Sequence, residues 1–444
     1  MLHFGTDGVR AAAYSQLTPD AVAGLGRAAA SVLGGGDWVI GRDTRESGEV
    51  FEQALAAGLV SAGATVGLAG VVPTPALAHI GEVRKVATAM ITASHNPYRD
   101  NGVKLFAPGG RKLADDIEQQ IETAWVRSGE DIASADVPVH AVDVLTPYVE
   151  RLTSLFPKRC LAGLDLVLDC ANGSMSAVAP RVAGLLGANV RVIHNTPNGR
   201  NINHECGATH PADLSATVVR FGATLGLAFD GDGDRLIAVD HTGSVVDGDR
   251  LIAMAALQLR DAGELTNHTV VVTAMSNLGF HRAMHEADIA VRTTAVGDRY
   301  VLEELDAGGF AIGGEQSGHI IYRNLATTGD GLLAGMRLAQ YVLDHDSTLA
   351  DLAGEVMHSY PQILTNVRVA DHHPRVAEEL AAEIAAAEAS LLGDGRVLVR
   401  PSGTEPLIRV MVEAATPELA NSVAGDLAAV VRARFGEPEG NPTP

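Results

Sequence analysis

Hydrophobic and polar positions alternate along the chain in two periods, and their order predicts the architecture. Thr18-Pro19, a capping hydroxyl followed by a first-turn proline, opens a helix that Gly34-Gly35-Gly36 closes. A strand over 38–40, a helix over 50–61 stopping at Gly63, a strand over 65–68, the Pro73-Thr74-Pro75 turn, a further helix and an apolar strand over 86–92 follow. The pattern recurs with a strand over 165–169, the loop Ala171-Asn172-Gly173-Ser174, a helix, and a strand over 224–229 running into aspartates. A third round has a strand over 269–273, the loop Ser276-Asn277, a helix, and a strand over 310–312 ending in Gly313-Gly314-Glu315. Such alternation predicts three tandem α/β domains with mixed, largely parallel sheets, although no residue-level repeat is evident.

Val142, Leu145, Val149, Leu152 and Phe156 recur at helical spacing before Pro157 and predict an amphipathic connecting helix. From about Tyr360 the pattern becomes a strand, a long alanine-rich helix over 374–392, two strands around Arg400-Pro401-Ser402-Gly403 and a final helix, which suits a smaller C-terminal α+β domain. The expected boundaries are 1–140, 141–157 for the connecting helix, 158–250, 251–360, 361–436, and a flexible tail over 437–444, where no apolar residue anchors the chain.

A length of 444 residues with 46% hydrophobic and 20% charged residues provides for several cores. The formal charge of −21 would repel a polyphosphate backbone, which disfavours nucleic acid as a partner. Three scattered cysteines (Cys160, Cys170, Cys206) make neither a disulfide framework nor a four-ligand zinc site. The first residues lack a signal-peptide core, and no stretch approaches the ~20 apolar residues of a membrane span, so a cytoplasmic protein without a membrane partner is expected.

Four polar runs stand at predicted strand ends or turns. Asp230-Gly231-Asp232-Gly233-Asp234-Arg235 packs three carboxylates into five residues, a donor set suited to a hard cation such as Mg²⁺, with glycines that let the carboxylates converge. An EF-hand is excluded, because Arg235 stands where its glycine should be and His241 where its glutamate should be. Thr92-Ala93-Ser94-His95-Asn96-Pro97, with Lys104 shortly beyond, places Ser94 where open α/β sheets bind ligands and makes it a candidate nucleophile or phosphate carrier. The Gly-x-Ser-x-Gly frame of a hydrolase elbow is missing. Gly314-Glu315-Gln316-Ser317-Gly318-His319 offers a carboxylate, a hydroxyl and an imidazole suited to sugar hydroxyls. Arg400-Pro401-Ser402-Gly403-Thr404-Glu405, with Arg409, combines guanidinium forks, hydroxyls and backbone N–H groups suited to phosphate. Neither a P-loop nor a dinucleotide fingerprint is present.

The runs FGTDGVR, TASHNPYRDNGVKLF, AFDGDGDR, VGDRYV, GGEQSGH and RPSGTEPLIRVMVE resemble the α-D-phosphohexomutases from Phe4 to Glu413, in the family's order. VGDRYV with GGEQSGH points to the branch acting on glucosamine phosphate more than on mannose or glucose phosphate. The resemblance implies domains around a central cleft, and interconversion of glucosamine 6-phosphate and glucosamine 1-phosphate through phosphoserine at Ser94. A glucosamine (or glucose) 1,6-bisphosphate would serve as intermediate or activator. It implies Mg²⁺ held by Asp230, Asp232, Asp234 and an oxygen on Ser94, and assistance from Arg10, His95 and Lys104, without saying which moves the proton. Glu315, Ser317 and His319 would read the sugar. Arg400, Ser402, Gly403, Thr404 and Arg409 would hold its phosphate. A homodimer and a place in the amino-sugar route to bacterial cell wall are implied in the same way. Ala11 and Ala208 depart from the usual glycine and serine. The rivals are a phosphomannomutase or phosphoglucomutase, a dehalogenase-type enzyme with Asp230 as nucleophile, which Asp234 disfavours at a position expected to be threonine or valine, and a non-catalytic sugar-phosphate sensor.

Overall fold

The computed structural model describes residues 2–127, 137–402 and 406–436. The described residues within 1–275 and 287–356 form one compact unit, and those within 276–286 and 357–444 form a second. The tail predicted over 437–444 lies outside the described residues.

The first unit holds three sheets. The first contains β1 (Val9–Ala12), β2 (Asp37–Arg42), β3 (Thr65–Val71), β4 (Ala87–Ile91), β5 (Asp100–Ala107), β6 (Arg111–Lys112) and β7 (Val139–Ala141), in the order β1-β5-β4-β2-β3-β7 with β6 beside β5. The second contains β8 (Asp165–Asp169), β9 (Asn189–Ile193), β10 (Leu225–Phe229), β11 (Leu236–Asp240) and β12 (Val245–Val246), in the order β12-β11-β10-β8-β9. The third contains β13 (Thr269–Thr273), β14 (Ala290–Thr294), β15 (Ile312–Gly314) and β16 (Ile320–Tyr322), in the order β14-β13-β15-β16.

A single four-strand unit recurs in all three. Its first strand is flanked by parallel neighbours, and its third is followed by an antiparallel return: β3-β2-β4-β5, β9-β8-β10-β11 and β14-β13-β15-β16. The repeat unseen in the residues is therefore present in the strand order. In each unit the loop from third to fourth strand is a polar run singled out above: 92–99, 230–235 and 315–319. Both ends of each loop are pinned by sheet hydrogen bonds.

The helices bury apolar faces on these sheets. In the first sheet's core, Val22 and Leu25 of the helix Pro19–Leu33 meet Phe51 and Leu55 of the helix Gly48–Ser61. Thr18 caps the first of these helices, accepting from the Ala21 amide at 3.1 Å. The connecting segment differs from expectation at its start. Val142 continues the ladder through its amide to Leu68 O (2.9 Å), and the helix begins only at Leu145 (Leu145–Ser154). The β-branched Val142 favours the extended path, Val144 turns the chain into the helix as its N-cap (φ −109, ψ −29), and the Asp143 carboxylate accepts from the Thr146 amide at 3.0 Å.

Tyr148 of that helix donates to Asp330 Oδ1 (2.9 Å), and the same oxygen caps the helix Gly331–Asp344 through the Leu333 amide (2.9 Å). Burial pushes the Asp330 carboxyl up to about 6. Its folded value exceeds its unfolded one, so its contribution is full below about pH 4 and is lost as pH rises through about 6. An asparagine at this position would keep the accepting oxygen and could not ionise. Asp330→Asn is therefore expected to gain roughly 2 kcal/mol on the wild type between pH 4 and pH 7, seen as a widening gap in thermal midpoints. A pH-independent gap would contradict this origin.

The second unit holds β17 (Gln362–Arg368), β18 (Gly395–Pro401) and β19 (Leu407–Ala414), antiparallel in the order β17-β19-β18, with the helix Pro417–Phe435 packed on them. The helix Leu278–Glu286, which follows β13 in sequence, belongs here. The buried Glu413 carboxylate receives the Leu278 amide (2.9 Å), Gln362 Nε2 (2.8 Å) and Arg396 Nη2 (3.0 Å). The long helix expected over 374–392 is broken at Leu380 into Val376–Glu379 and Ala381–Ser390. Its alanine-rich middle has no fully buried residue, whereas Val376, Leu380 and Leu391 enter the core, and the chain turns to deliver them.

Candidate active site

Ser94 lies just past the C-terminal end of β4, fully buried, with φ +51. Strand pairing brings its neighbours to the same sheet end: Lys104 sits opposite Met90, and Arg10 of β1 opposite Gly102 of β5. The Asp230–Asp234 run turns the β10–β11 hairpin, with Phe229 opposite Leu236. A Cβ at Gly231 would fall 2.6 Å from Ser94 O, so only glycine lets the two loops approach this closely.

At that contact Ser94 Oγ donates to Asp230 Oδ2 at 2.5 Å, and His95 Nδ1 lies 3.4 Å from the same hydroxyl. The other Asp230 oxygen accepts the Gly233 and Arg235 amides (3.1 and 3.2 Å). Lys104 Nζ is 2.8 Å from each of Asp232 Oδ2, Asp234 Oδ2 and Asp7 Oδ2. Thr74 adds its hydroxyl to Asp232 Oδ2 at 2.7 Å.

Burial and the charges of Asp234 and Asp232 push the Asp230 carboxyl well above its usual range. At Asp234 burial acts in the same direction, but Lys104 and His319 outweigh it and hold the group well below. Lys104 is held well above its usual value, because Asp232, Asp234 and Asp7 outweigh its burial. Burial, with Arg235 and Arg10 nearby, takes His95 down to about 3, which leaves its ring neutral at pH 7.

The three aspartates present ligand oxygens within 4.8 Å of one another, and Asp232 Oδ1 and Asp234 Oδ1 are buried without a hydrogen-bond partner among the described residues. Buried carboxylate oxygens so placed, with one of the three groups unable to ionise comfortably, fit a hard divalent cation.

Glu315, Ser317 and His319 lie on the β15–β16 hairpin. Glu315 Oε1 accepts the Gly297 amide at 3.1 Å, and burial raises its carboxyl. His319 is buried, 3.7 Å from Asp234 Oδ1 and 3.6 Å from Asp298 Oδ2. Burial lowers its pKa, but the two carboxylates outweigh it and raise the ring overall. Ser317 is exposed. Arg10 pairs with Asp7, which also takes Lys112 Nζ at 2.8 Å, and Lys112 reaches Asp298. Asp7, Lys112, Asp298, Thr74 and Arg235 are members that the sequence reading passed over. The first and third stand inside FGTDGVR and VGDRYV, but their partners lie 105 and 186 positions away.

In the second unit Arg400 and Arg409 face each other across β18 and β19. Like charges directly opposite repel and so favour an anion between them. Ser402 Oγ and Arg409 Nε are buried without a hydrogen-bond partner among the described residues. Gly403 and Thr404 lie outside the described residues.

Four family models match in succession: the phosphoglucomutase/phosphomannomutase alpha/beta/alpha domains I (residues 1–130), II (146–243) and III (247–360), and the C-terminal domain (364–430). A protein of Rhodococcus opacus (strain B4) named phosphoglucosamine mutase is 49% identical, covering 96% of this chain and 98% of its own. One of Saccharopolyspora erythraea with the same name is 50% identical, covering 97% and 99%. The crystal structure of a putative phosphomannomutase from Thermus thermophilus superposes with a TM-score of 0.81 at 26% identity over 97% of this chain and 99% of that one. Domain models matched in order from end to end, and near-half identity to full-length relatives, establish that the chain belongs to the phosphoglucomutase/phosphomannomutase family, in the branch its phosphoglucosamine mutase relatives form.

Proposed function

We propose that the chain interconverts glucosamine 6-phosphate and glucosamine 1-phosphate, with Ser94 as the phosphoryl carrier. The observation that carries the reading is the 2.5 Å contact between Ser94 Oγ and Asp230 inside a cluster of buried carboxylates, in a chain about half identical to proteins named for this activity.

In the first transfer the bond from Ser94 Oγ to phosphorus breaks as a bond from phosphorus to sugar O1 forms. The sugar hydroxyl gives up its proton and the seryl oxygen regains one. The resulting 1,6-bisphosphate turns end for end. In the second transfer the bond from O6 to phosphorus breaks as a bond from phosphorus to Ser94 Oγ forms, the seryl proton passes through the site to O6, and glucosamine 1-phosphate leaves the rephosphorylated protein. His95 Nδ1 is within reach of Ser94 Oγ (3.4 Å), and with Arg10 and Lys104 it makes the basic cluster that assists the transfer. Lys104 and Arg10 supply fixed positive charge toward the transferring group. Mg²⁺ bound by Asp230, Asp232, Asp234 and an oxygen on Ser94 would neutralise charge building on the phosphoryl oxygens. Arg400, Ser402, Gly403, Thr404 and Arg409 grip the phosphate that is not being transferred. Glu315, Ser317 and His319 bind sugar hydroxyls, which must offer similar groups in both orientations. A cytoplasmic homodimer belongs to the same reading.

The test compares kcat/KM for glucosamine, glucose and mannose 6-phosphates with Mg²⁺ and a trace of 1,6-bisphosphate. Glucosamine 6-phosphate is expected to lead by at least about tenfold, the discrimination that about 1.4 kcal/mol of differential transition-state binding supplies. A lead for mannose or glucose 6-phosphate would reassign the substrate.

A further inference from the structure

The hydroxyl of Ser94 is aimed by a backbone that a serine does not adopt unaided. A φ of +51 is uncommon for any residue other than glycine, and here it is fixed from three sides. On the amide side Ser94 N donates to Thr92 Oγ1 (2.8 Å), which donates in turn to Asp43 Oδ2 (2.6 Å). Beneath the loop lies Arg45, with no exposed side-chain surface. Its guanidinium uses all five hydrogens: Nε to Asp43 Oδ2 (2.9 Å), one Nη2 hydrogen each to Ser94 O (2.9 Å) and Asn96 O (2.8 Å), and Nη1 to Asp100 O (2.8 Å) and Pro97 O. The loop is wrapped around a cation already neutralised by Asp43.

The third side comes from the second sheet's domain. Asn203 donates from Nδ2 to Ser94 O at 2.8 Å and to Asn96 O at 3.2 Å, so each carbonyl receives one hydrogen from Arg45 and one from Asn203. Asn203 is itself buried in the left-handed region (φ +56), and its amide is tied to Ala171 O at 2.9 Å. Its side chain also lies 2.8 Å from where a Cβ on Gly231 would stand, beside the aspartate loop. The serine loop and the aspartate loop come from different sheets, and Asn203 touches the serine loop while seated against the aspartate loop.

We propose that Asn203, with Arg45, is a positioning residue for phosphoryl transfer: it registers the Ser94 loop against the Asp230–Asp234 loop and thereby sets the seryl oxygen at its working distance. The proposal rests on Ser94 being the carrier. Neither residue touches substrate or acts as acid or base. They act through the Ser94 carbonyl.

Asn203→Gly isolates the effect, since glycine takes the left-handed conformation without strain and removes only the amide. In the full chain with saturating Mg²⁺, kcat for glucosamine 6-phosphate is expected to fall about 30- to 100-fold, the scale of a misplacement near 1 Å, while KM stays within about threefold. The dephosphorylated protein, mixed with glucose 1,6-bisphosphate and followed by intact mass, should take up phosphate slower by the same factor yet reach the wild-type stoichiometry. A merely structural role would instead lower the fraction of protein able to react and leave the rate of the remainder unchanged. If Asn203→Gly melts more than about 5 °C below wild type, Asn203→Asp, which keeps the shape and has no hydrogens to give, is measured in its place, below its melting temperature. A kcat within twofold of wild type, or a wild-type loading rate, would overturn the proposal. Ser94→Ala separates the two layers. If it loads and turns over like wild type, the carrier reading fails; if it is inert while the Asn203 variant behaves as wild type, only the positioning role fails.

Discussion

Ser94→Ala is expected to lower conversion of glucosamine 6-phosphate by more than about 10⁴-fold with the fold intact. The reason is positional. Ser94 Oγ sits 2.5 Å from Asp230 and 3.4 Å from His95, in a buried turn whose backbone bonds are made by its amide and carbonyl and not by its hydroxyl. Alanine therefore keeps the turn and loses the one oxygen that could hold the phosphoryl group between two sugar positions. Without it the phosphate would have to pass directly between molecules, forfeiting an advantage that oriented intramolecular groups place at about 10⁵ M or more. Two measurements check this: loss of turnover, and loss of the 80 Da mass gain of phosphate (roughly, per group carried) on mixing with bisphosphate. Turnover within tenfold of wild type would remove Ser94 from the chemistry.

Stripping divalent cations is expected to cost nearly as much, more than about 10³-fold, with full recovery on adding Mg²⁺. The cluster also predicts a readout independent of activity. Asp230, Asp232 and Asp234 are buried together, and Lys104 directly contacts Asp232 and Asp234, so the cation-free protein carries carboxylate repulsion that one ammonium does not cancel. Mg²⁺ at about 100 times its dissociation constant should stabilise the folded state by roughly 2.7 kcal/mol and raise the thermal midpoint by a few degrees. Asp232→Asn should abolish most of that rise, because Asp232 Oδ1 is one of the two oxygens of the aspartate cluster that are buried without a hydrogen-bond partner among the described residues. An equal rise in the variant would place the ion elsewhere.

Much of this arrangement could be read before the fold was known. Polar runs directly after apolar strands mark ligand-binding strand ends, and Ser94, Lys104, Asp230, Asp232 and Asp234 come together for that reason. The groups that were not legible act at long range and belong to no local pattern. Asp7, Lys112 and Asp298 form a chain of charge linking a loop, the strand β6 and a helix start, and Arg45 and Asn203 reach Ser94 from 49 and 109 positions away. Asn203 stands in the segment NINHECGATHP, which was compared with the family only at Ala208, and its own residue type reads as an ordinary turn asparagine. Helix limits failed where composition carried no face to bury: alanines over 374–392 are helical by propensity, yet the core's demand for Leu380 breaks the run. The threefold strand order was invisible for a related reason, since topology can repeat while the side chains that build it diverge.

The helix Leu278–Glu286 is encoded between β13 and β14 but packs with the C-terminal strands, held at its first turn by Glu413. Cutting the gene at codon 356 would therefore yield two damaged fragments. The shorter product would keep Glu413, Gln362 and Arg396 around an absent helix start, and the longer would carry Phe280 and Met284 with nothing of their own unit to cover them. Chimeras that exchange the C-terminal region with a relative's should carry residues 276–286 along with it, as a paired cassette.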